Sequence, residues 1–406
     1  MAGVNGRSSN GANGPGPGGH YAHIVGWGMA VPDRVLSNAE LSRIVDTTDE
    51  WIVSRTGIRE RRIAGPKDTT ASLAIRAAQQ ALEVAGVSPA ELDLIIVATS
   101  TPEHVFPATA CLVQDALGAP ECGAFDLSAA CSGFIYGLGM GSQAIRSGSL
   151  ETVLVIGSET LSRIVNWKDR GTCILFGDGA GAFVLQRRDT PGGVLASLMR
   201  SDGSGGNLLA VPAGGSRMPA SFDTVRDGLH AIEMNGREVF RFATRVMASA
   251  CREVAQQAGL SMDEIDMIVP HQANLRIIEA AARGLGLPHD KFIINLDRYG
   301  NTSTASIPIA VCEAVADGRI RPNDNLLLVG FGGGLTWGAT AIQWAVEAPP
   351  ELSTWEHLRR QSVYQFAKVR SVMRRGLRQL EGVIWGAQTP EGGKEPPHRK
   401  EGEGKG

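Results

Sequence analysis

One thirteen-residue pattern occurs twice in this chain. Residues 85–97 read AGVSPAELDLIIV and residues 258–270 read AGLSMDEIDMIVP, with six positions identical and most others alike in kind. Each copy closes an alanine-rich helical pattern and leads into an apolar stretch, so the same helix-to-strand unit stands in both halves of the chain. Leu92 to Ala98 is apolar almost throughout, which suits a strand covered on both faces in a parallel sheet. Thr152 to Gly157 repeats the strand pattern, and helix-like and strand-like stretches alternate between and beyond. The class is α/β, built as two related halves. Ala98-Thr99-Ser100 and His271-Gln272-Ala273 then fall at equivalent strand ends, where ligands gather in α/β folds.

The rest of the chain divides around these halves. Residues 1–20, rich in Gly, Asn, Ser and Pro, are predicted to be a disordered tail. The first half spans 21–189 and the second 190–347. A helix is expected over Asn38–Val45 with Asn38 as its cap, and another over 69–85, with Leu73, Ala77, Ala81 and Val84 on one face and Gly86 as its stop. The Gly-, Ser-, Pro- and Ala-rich stretch 190–226 is expected to form surface loops, and Gly177 to Gly181 a tight turn. Residues 348–406 make a separate extension. Within 351–380, Trp355, Leu358, Phe366, Val369, Met373, Leu377 and Leu380 recur at helical spacing among many arginines, an amphipathic basic helix that leads into a disordered tail.

Composition excludes several classes. A net charge of -3 carries no nucleic-acid footprint. The cysteines at 111, 122, 131, 173, 251 and 312 form no C-x-x-C pair, which points to free thiols in a reducing compartment. No apolar run approaches the ~20 residues of a membrane span, and the N-terminus lacks a signal-peptide pattern, so a cytoplasmic location is expected. Contact of the basic extension with an anionic membrane or an acidic partner stays open beside a helix docked on the protein itself.

The chemistry centres on Asp126-Leu127-Ser128-Ala129-Ala130-Cys131-Ser132-Gly133-Phe134. It reads as a strand, a tight turn with Cys131 at the tip, and a buried helix. A helix N-terminus favours an anion, so a thiol of ordinary pKa ~8.5 is expected to be lowered there and to act as a nucleophile. A lone cysteine is also compatible with a buried structural thiol. His271 ends an apolar strand, Asn301 sits in Gly300-Asn301-Thr302-Ser303, and the run Gly330 to Gly338 follows the strand Leu326–Val329. Glycines there let a ligand approach the main chain, whose N–H groups suit an oxyanion hole.

In this order these stretches resemble β-ketoacyl-acyl-carrier-protein synthase III, a member of the thiolase superfamily, over about residues 21–347. The resemblance implies a duplicated thiolase-like fold in α-β-α-β-α layers and a triad of Cys131, His271 and Asn301. It implies that an acyl group from acyl-CoA, acetyl or another short one, is loaded on Cys131. Malonyl-acyl-carrier protein then loses CO2 and condenses with that acyl group. Backbone N–H groups of Cys131 and Gly333 would form the oxyanion hole. Trp51 and Arg170 would sandwich the CoA adenine near Thr47 and Arg55, Asn274 would meet the pantetheine, and Arg276 the acyl carrier protein. Phe106 would shape the acyl pocket across a homodimer interface. No metal and no permanently bound cofactor are implied. A polyketide-priming ketosynthase, a related acyltransferase and a non-catalytic acyl-CoA or carrier-protein binding subunit remain alternatives.

Overall fold

The computed structural model describes residues 19–345, Tyr364, 369–374 and 376–377. The apolar runs form two sheets. The first contains β1 (Tyr21–Ala30), β2 (Leu94–Ala98), β3 (Gly123–Leu127), β4 (Thr152–Thr160) and β5 (Asp178–Arg188), in the order β1-β5-β4-β2-β3. The second contains β6 (Gly193–Ser201), β7 (Met267–Pro270), β8 (Asn325–Gly332) and β9 (Thr336–Gln343), in the order β6-β9-β8-β7. Strand directions repeat as well. The pairs β4/β2 and β8/β7 are parallel, and the two pairs on the other side of each of β4 and β8 are antiparallel. The parallel β2/β3 pair has only a remnant in the second half, a single bridge from Ile268 to Phe292.

Helices fill the layers between and outside the sheets. Here α1 is Asp49–Thr56, α2 Thr70–Ala85, α3 Thr109–Leu117, α4 Gly133–Arg146, α5 Gly236–Gln257, α6 Leu275–Leu285 and α7 Ser306–Ala316. Helices α4 and α7 lie between the sheets: Phe134, Ile135 and Leu138 share one core with Ile307, Val311, Val155 and Leu328. Helix α2 covers the outer face of the first sheet through Leu73, Ala77 and Ala81, and α5 and α6 cover the second. The result is two related halves, as expected from the repeat, in the α-β-α-β-α layers that the family resemblance implies. Helix α2 starts at the capping residue Thr69 and stops at Gly86, whose φ of 69° suits glycine.

Three local expectations need correction. The stretch 190–226 contains β6, whose alternating Val194, Ala196 and Leu198 are buried. The flanking glycines hid that period-two pattern. Gly177–Gly181 is not an isolated turn. Strand β5 begins at Asp178, and Pro308 and Ile309 of α7 pack against the backbone at Gly181 and Gly179. The helix at Asn38 ends at Leu41, and Ser37 caps it in a reciprocal pair with Glu40. Asn38 instead points inward, donating to Asp49 and the Ile58 carbonyl and accepting from Arg61.

In the C-terminal extension, the described residues are helical. The Ser371 hydroxyl is buried and donates to the Asp115 carboxylate of α3, while Val369, Met373 and Leu377 are exposed. The remainder of the expected 351–380 helix and both expected disordered tails, apart from residues 19 and 20, lie outside the described residues. Among the described residues, no helix is long and apolar enough to cross a membrane.

Candidate active site

Strand β3 delivers Cys131 to the centre of the molecule. After Leu127 the chain turns through Ala130, held at φ 45°, into a single 3-10 turn over Ala130–Ser132, and α4 follows at once. A non-glycine residue in that region costs roughly 1–3 kcal/mol and persists where its surroundings enforce it. Here the glycine loop after β8 does so. A Cβ on Gly332 would stand 2.6 Å from the Cys131 nitrogen, so only glycine allows this approach. The Thr336 hydroxyl lies 3.0 Å from the Ala129 carbonyl and 3.1 Å from the Ser132 hydroxyl, joining the two loops. Among the described residues no other residue accepts the N–H of Cys131 or of Gly333. Both are free to meet a negatively charged oxygen.

The thiol differs from the sequence expectation. Cys131 is buried, and burial pushes its pKa up to about 12. The Glu159 carboxyl adds to the rise, while the Ser303 hydroxyl and the cysteine's own N–H oppose it. The turn ahead of α4 places the sulfur near the helix N-terminus, but desolvation outweighs that advantage. Cys131 therefore rests as a thiol and must give up its proton when a substrate enters.

His271 and Asn301 are both presented as donors. His271 follows β7, and its N–H donates to the Val329 carbonyl at 2.7 Å, which pins the strand end. Burial lowers the imidazole to about 3, so the ring is neutral. Its Nδ1 lies 2.7 Å from the Ser306 hydroxyl, which receives the Gln272 N–H on its other side. When the Ser306 hydroxyl donates to Nδ1, the ring proton sits on Nε2, where it can serve as a donor. The Asn301 Oδ1 accepts the Ser303 N–H at 2.8 Å, which turns the amide NH2 away from the loop. Ser306, Thr336 and Gly332 were not singled out from the sequence. Their signal exists only as neighbours of the motifs, two of them inside stretches already quoted.

Two cavities meet at Cys131. The smaller is lined by Cys131, His271, Asn301, Asn274, Phe240 and Phe331. The larger, about 430 Å³, is walled by Leu161, Ile164, Phe176, Leu209 and Ile232, with Ser303 and Gly333 beside the sulfur. One narrow approach, apolar except where His271, Asn274 and Asn301 line it, and one wider chamber that mixes apolar walls with Ser100, Ser128, Ser303 and Thr336 thus open on the same atom.

The remaining expected contacts fall elsewhere. The Trp51 ring carries the Arg170 guanidinium at 4.8 Å and that of Arg55 at 5.0 Å. A base stacked between Trp51 and Arg170 needs about 7 Å, roughly 3.5 Å on each face. The slot is therefore closed here, with Arg170 held by the Asp46 carbonyl at 3.1 Å. The Thr47 hydroxyl is shielded and has no partner among the described residues. Asn274 caps α6 through the Arg276 N–H and donates to the Arg55 carbonyl, so it ties α6 to α1 as well as lining the small cavity. Arg276 is exposed and stacks on Phe240 at 5.4 Å. Phe106 is 85% exposed and lines neither cavity of its own chain. Among the described residues no group of three or more His, Cys, Asp or Glu side chains converges as a metal site.

Comparison with known proteins gives one consistent result. A family model described as 3-oxoacyl-[acyl-carrier-protein] synthase III matches residues 125–203, and the model of its C-terminal part matches residues 255–344. A β-ketoacyl-[acyl-carrier-protein] synthase III of Symbiobacterium thermophilum is 56% identical over 321 residues, 79% of this chain and 97% of that protein. One of a Roseiflexus species is 54% identical over 80% of this chain and 99% of its own. Among solved structures, 3-oxoacyl-[acyl-carrier-protein] synthase III of Aquifex aeolicus superposes with a TM-score of 0.74 at 48% identity, covering 79% of this chain and 99% of that one. The priming β-ketosynthase of the R1128 polyketide pathway superposes at 0.75 with 37% identity, covering 81% and 97%.

Proposed function

The chain belongs to the β-ketoacyl-acyl-carrier-protein synthase III family, and from that premise we propose how its own residues divide the work. It is a condensing enzyme, an acyltransferase that initiates fatty-acid synthesis. The reading is carried by one observation. A thiol, two neutral side-chain donors and two unengaged backbone N–H groups converge where two cavities meet.

Acyl-CoA is the first substrate. Cys131 attacks its thioester carbonyl, and the N–H groups of Cys131 and Gly333 receive the oxyanion, a donor of this kind being worth about 3 kcal/mol at the transition state. The acyl chain then occupies the apolar chamber of Leu161, Ile164, Phe176 and Ile232. CoA departs and a malonyl thioester carried by acyl carrier protein enters along the Asn274 and Phe240 side. As CO2 leaves, negative charge collects on the thioester oxygen, where His271 Nε2–H and the Asn301 amide donate. The resulting carbanion attacks the acyl-enzyme and releases 3-oxoacyl-carrier protein. No step needs a bound cofactor beyond the substrates themselves.

The same reading assigns the outer contacts. The adenine of CoA displaces Arg170 from Trp51 and takes its place between them, with Thr47 and Arg55 alongside. Arg276 meets the acidic carrier protein. Two copies join so that the exposed Phe106 of each closes the acyl chamber of the other, and the assembly works in the cytoplasm. A polyketide-priming role would use the same condensation with a different acyl group. It is the second reading because the priming ketosynthase, at 37% identity, is less similar than the synthase III enzymes of Symbiobacterium thermophilum at 56% and Aquifex aeolicus at 48%.

The test is a panel of acyl-CoAs supplied with malonyl-acyl carrier protein, with products identified by mass. Acetyl or another short chain should be extended by two carbons. Cys131→Ala should abolish the hydroxylamine-sensitive acyl group on the protein, and Trp51→Ala should raise KM for acyl-CoA and not for the malonyl substrate. An acyl group on another cysteine, or none, overturns the assignment.

A further inference from the structure

Arg61 stands in the middle of the short strand Glu60–Arg62, which pairs antiparallel with Val35–Ser37. It is fully buried. Its Nη1 donates to the Leu36 carbonyl at 3.1 Å and to Asn38 Oδ1 at 2.8 Å, and its Nη2 donates to the Ile174 carbonyl at 2.7 Å. All three acceptors are neutral, and among the described residues no carboxylate pairs with the guanidinium. Its Nε is shielded and has no partner among them. A buried cation without a counter-charge is costly, and an apolar side chain of similar size would fill the same space without that cost. The guanidinium therefore does something that packing alone does not.

What it holds lies beside a reacting group. Ile174 opens the segment that runs along Asn301. The Asn301 N–H donates to the Leu175 carbonyl at 2.8 Å, and the Asn301 carbonyl accepts the Gly177 N–H at 2.9 Å, a parallel bridge centred on Phe176. This one segment thus engages both main-chain groups of Asn301. The approach is close. A Cβ on Gly177 would stand 2.3 Å from the Tyr299 carbonyl and 3.1 Å from the Arg61 Cβ. One on Gly300, at φ 61°, would stand 2.7 Å from the Leu175 carbonyl and 3.2 Å from the Arg61 Cβ. The stem of Arg61 therefore lies against both glycines while its fork ties down the residue ahead of Leu175. Among the described residues, Arg61 is the one side chain that hydrogen-bonds to the main chain of residues 174–177. The Asn301 Oδ1 is already taken by the Ser303 N–H, so the place of its amide NH2 in the small cavity follows from its main chain.

We propose that Arg61 is a positioning residue for Asn301. By fixing the Ile174 carbonyl it sets the main chain of Asn301, and with it the point where the Asn301 amide meets the oxygen that becomes negative as CO2 leaves. This rests on Asn301 being a donor in that step. Arg61 itself lines neither cavity. Arginine suits the task because its planar fork spans Leu36 and Asn38 on one side and Ile174 on the other, which the compact ammonium of lysine does not. The fork is anchored in turn, since the Asn38 amide donates to the Asp49 carboxylate at the start of α1 and to the Ile58 carbonyl just after it, both at 2.8 Å. Misplacing a donor by about 1 Å costs on the order of 100-fold in rate.

The experiment compares two single-turnover rates of the full-length protein. One is acylation of Cys131 at saturating acetyl-CoA, read by intact mass. The other is CO2 release when the acetylated protein meets malonyl-acyl carrier protein, with the maximal rate separated from the half-saturating concentration. Arg61→Met should lower the maximal rate of CO2 release about 30- to 100-fold, because the lost interaction acts on charge formed only in the transition state. Half-saturation and acylation should stay within about threefold of wild type. Arg61→Lys keeps the stem and the charge without the fork, and should lose about tenfold in the same step. It decides the matter if Arg61→Met does not fold. Combined with Asn301→Ala, Arg61→Lys should release CO2 no more slowly than Asn301→Ala alone, because the two act in series. Acylation and CO2 release falling together, a loss that multiplies with that of Asn301→Ala, or wild-type rates in the Arg61 variants would each overturn the proposal. Wild-type CO2 release from Asn301→Ala would instead overturn the underlying reading of the site.

Discussion

His271 is neutral in the folded protein because burial removes the water that would stabilise its cation, and its Nδ1 is engaged by the Ser306 hydroxyl, which leaves Nε2 to face the site. Both features have a measurable consequence. Its folded value of about 3 lies below the 6.5 of an unperturbed histidine, so between those values the unfolded chain binds the extra proton. Stability therefore rises with pH through that window, is complete above 6.5 and is lost as pH falls toward 3. Urea unfolding at several pH values should show a shallower slope for His271→Gln than for wild type between about pH 4 and 6. The difference should reach at most about 1.4 kcal/mol per pH unit, the limit for one proton. CO2 release from the malonyl substrate should show no inflection near 6.5. An inflection there would mean that the ring titrates in the working enzyme and that the donor assignment is wrong.

At the scale of elements, the site is made by strand ends that meet across the duplicated halves. Strand β3 brings Cys131, β7 brings His271, and the equivalent position after Phe292 brings Asn301 and Ser303 ahead of α7. The end of β8 then closes over the cysteine turn, with Gly332 as the point of closest approach. Gly332→Ala should force that loop away and move the Gly333 N–H off the oxyanion position. Acyl loading should fall about 100-fold or more, the usual cost of one such donor. Circular dichroism should stay unchanged, since the rest of β8 keeps its ladder with β7 and β9. Unimpaired loading would show that Gly333 contributes no donor.

For the whole molecule, the open question is what lies outside the two halves. About a fifth of this chain falls outside the alignment with relatives that are matched over almost their full length. Cys131, His271, Asn301 and both cavities lie within the described residues up to 345. Among the described residues, strand β3 ends the first sheet with one edge unpaired, and Val105 and Phe106 in the segment after β2 are exposed. An exposed strand edge is a natural place for a second copy to pair. The chain truncated after Glu347 should therefore load Cys131 at the full-length rate and sediment as a dimer. Its melting temperature should fall by only a few degrees, because the Ser371–Asp115 contact joins two surface elements and is worth about 1 kcal/mol. A truncated monomer, or one unable to load, would move the dimer contact or a catalytic element into the extension.

The sequence by itself pointed to the duplicated α/β class and the shared helix-to-strand unit, and its resemblance to a known family is what proposed Cys131, His271 and Asn301 as a triad. Those features live in local pattern: an apolar run, a capped helix such as Thr69 to Gly86, a cysteine among small residues. Strand β6, Gly193–Ser201, escaped because it starts among glycines, and its period-two burial stands out only against the partner strand β9. What only the tertiary structure decided is the protonation and direction of the reacting groups. Cys131 was expected to be acidified by its helix and is pushed the other way by burial. His271 Nδ1 meets the Ser306 hydroxyl, thirty-five residues away, and Glu159 meets Thr304 across 145 residues of chain. Proton affinity depends on desolvation and on partners brought together by folding, and no spacing along the chain encodes either.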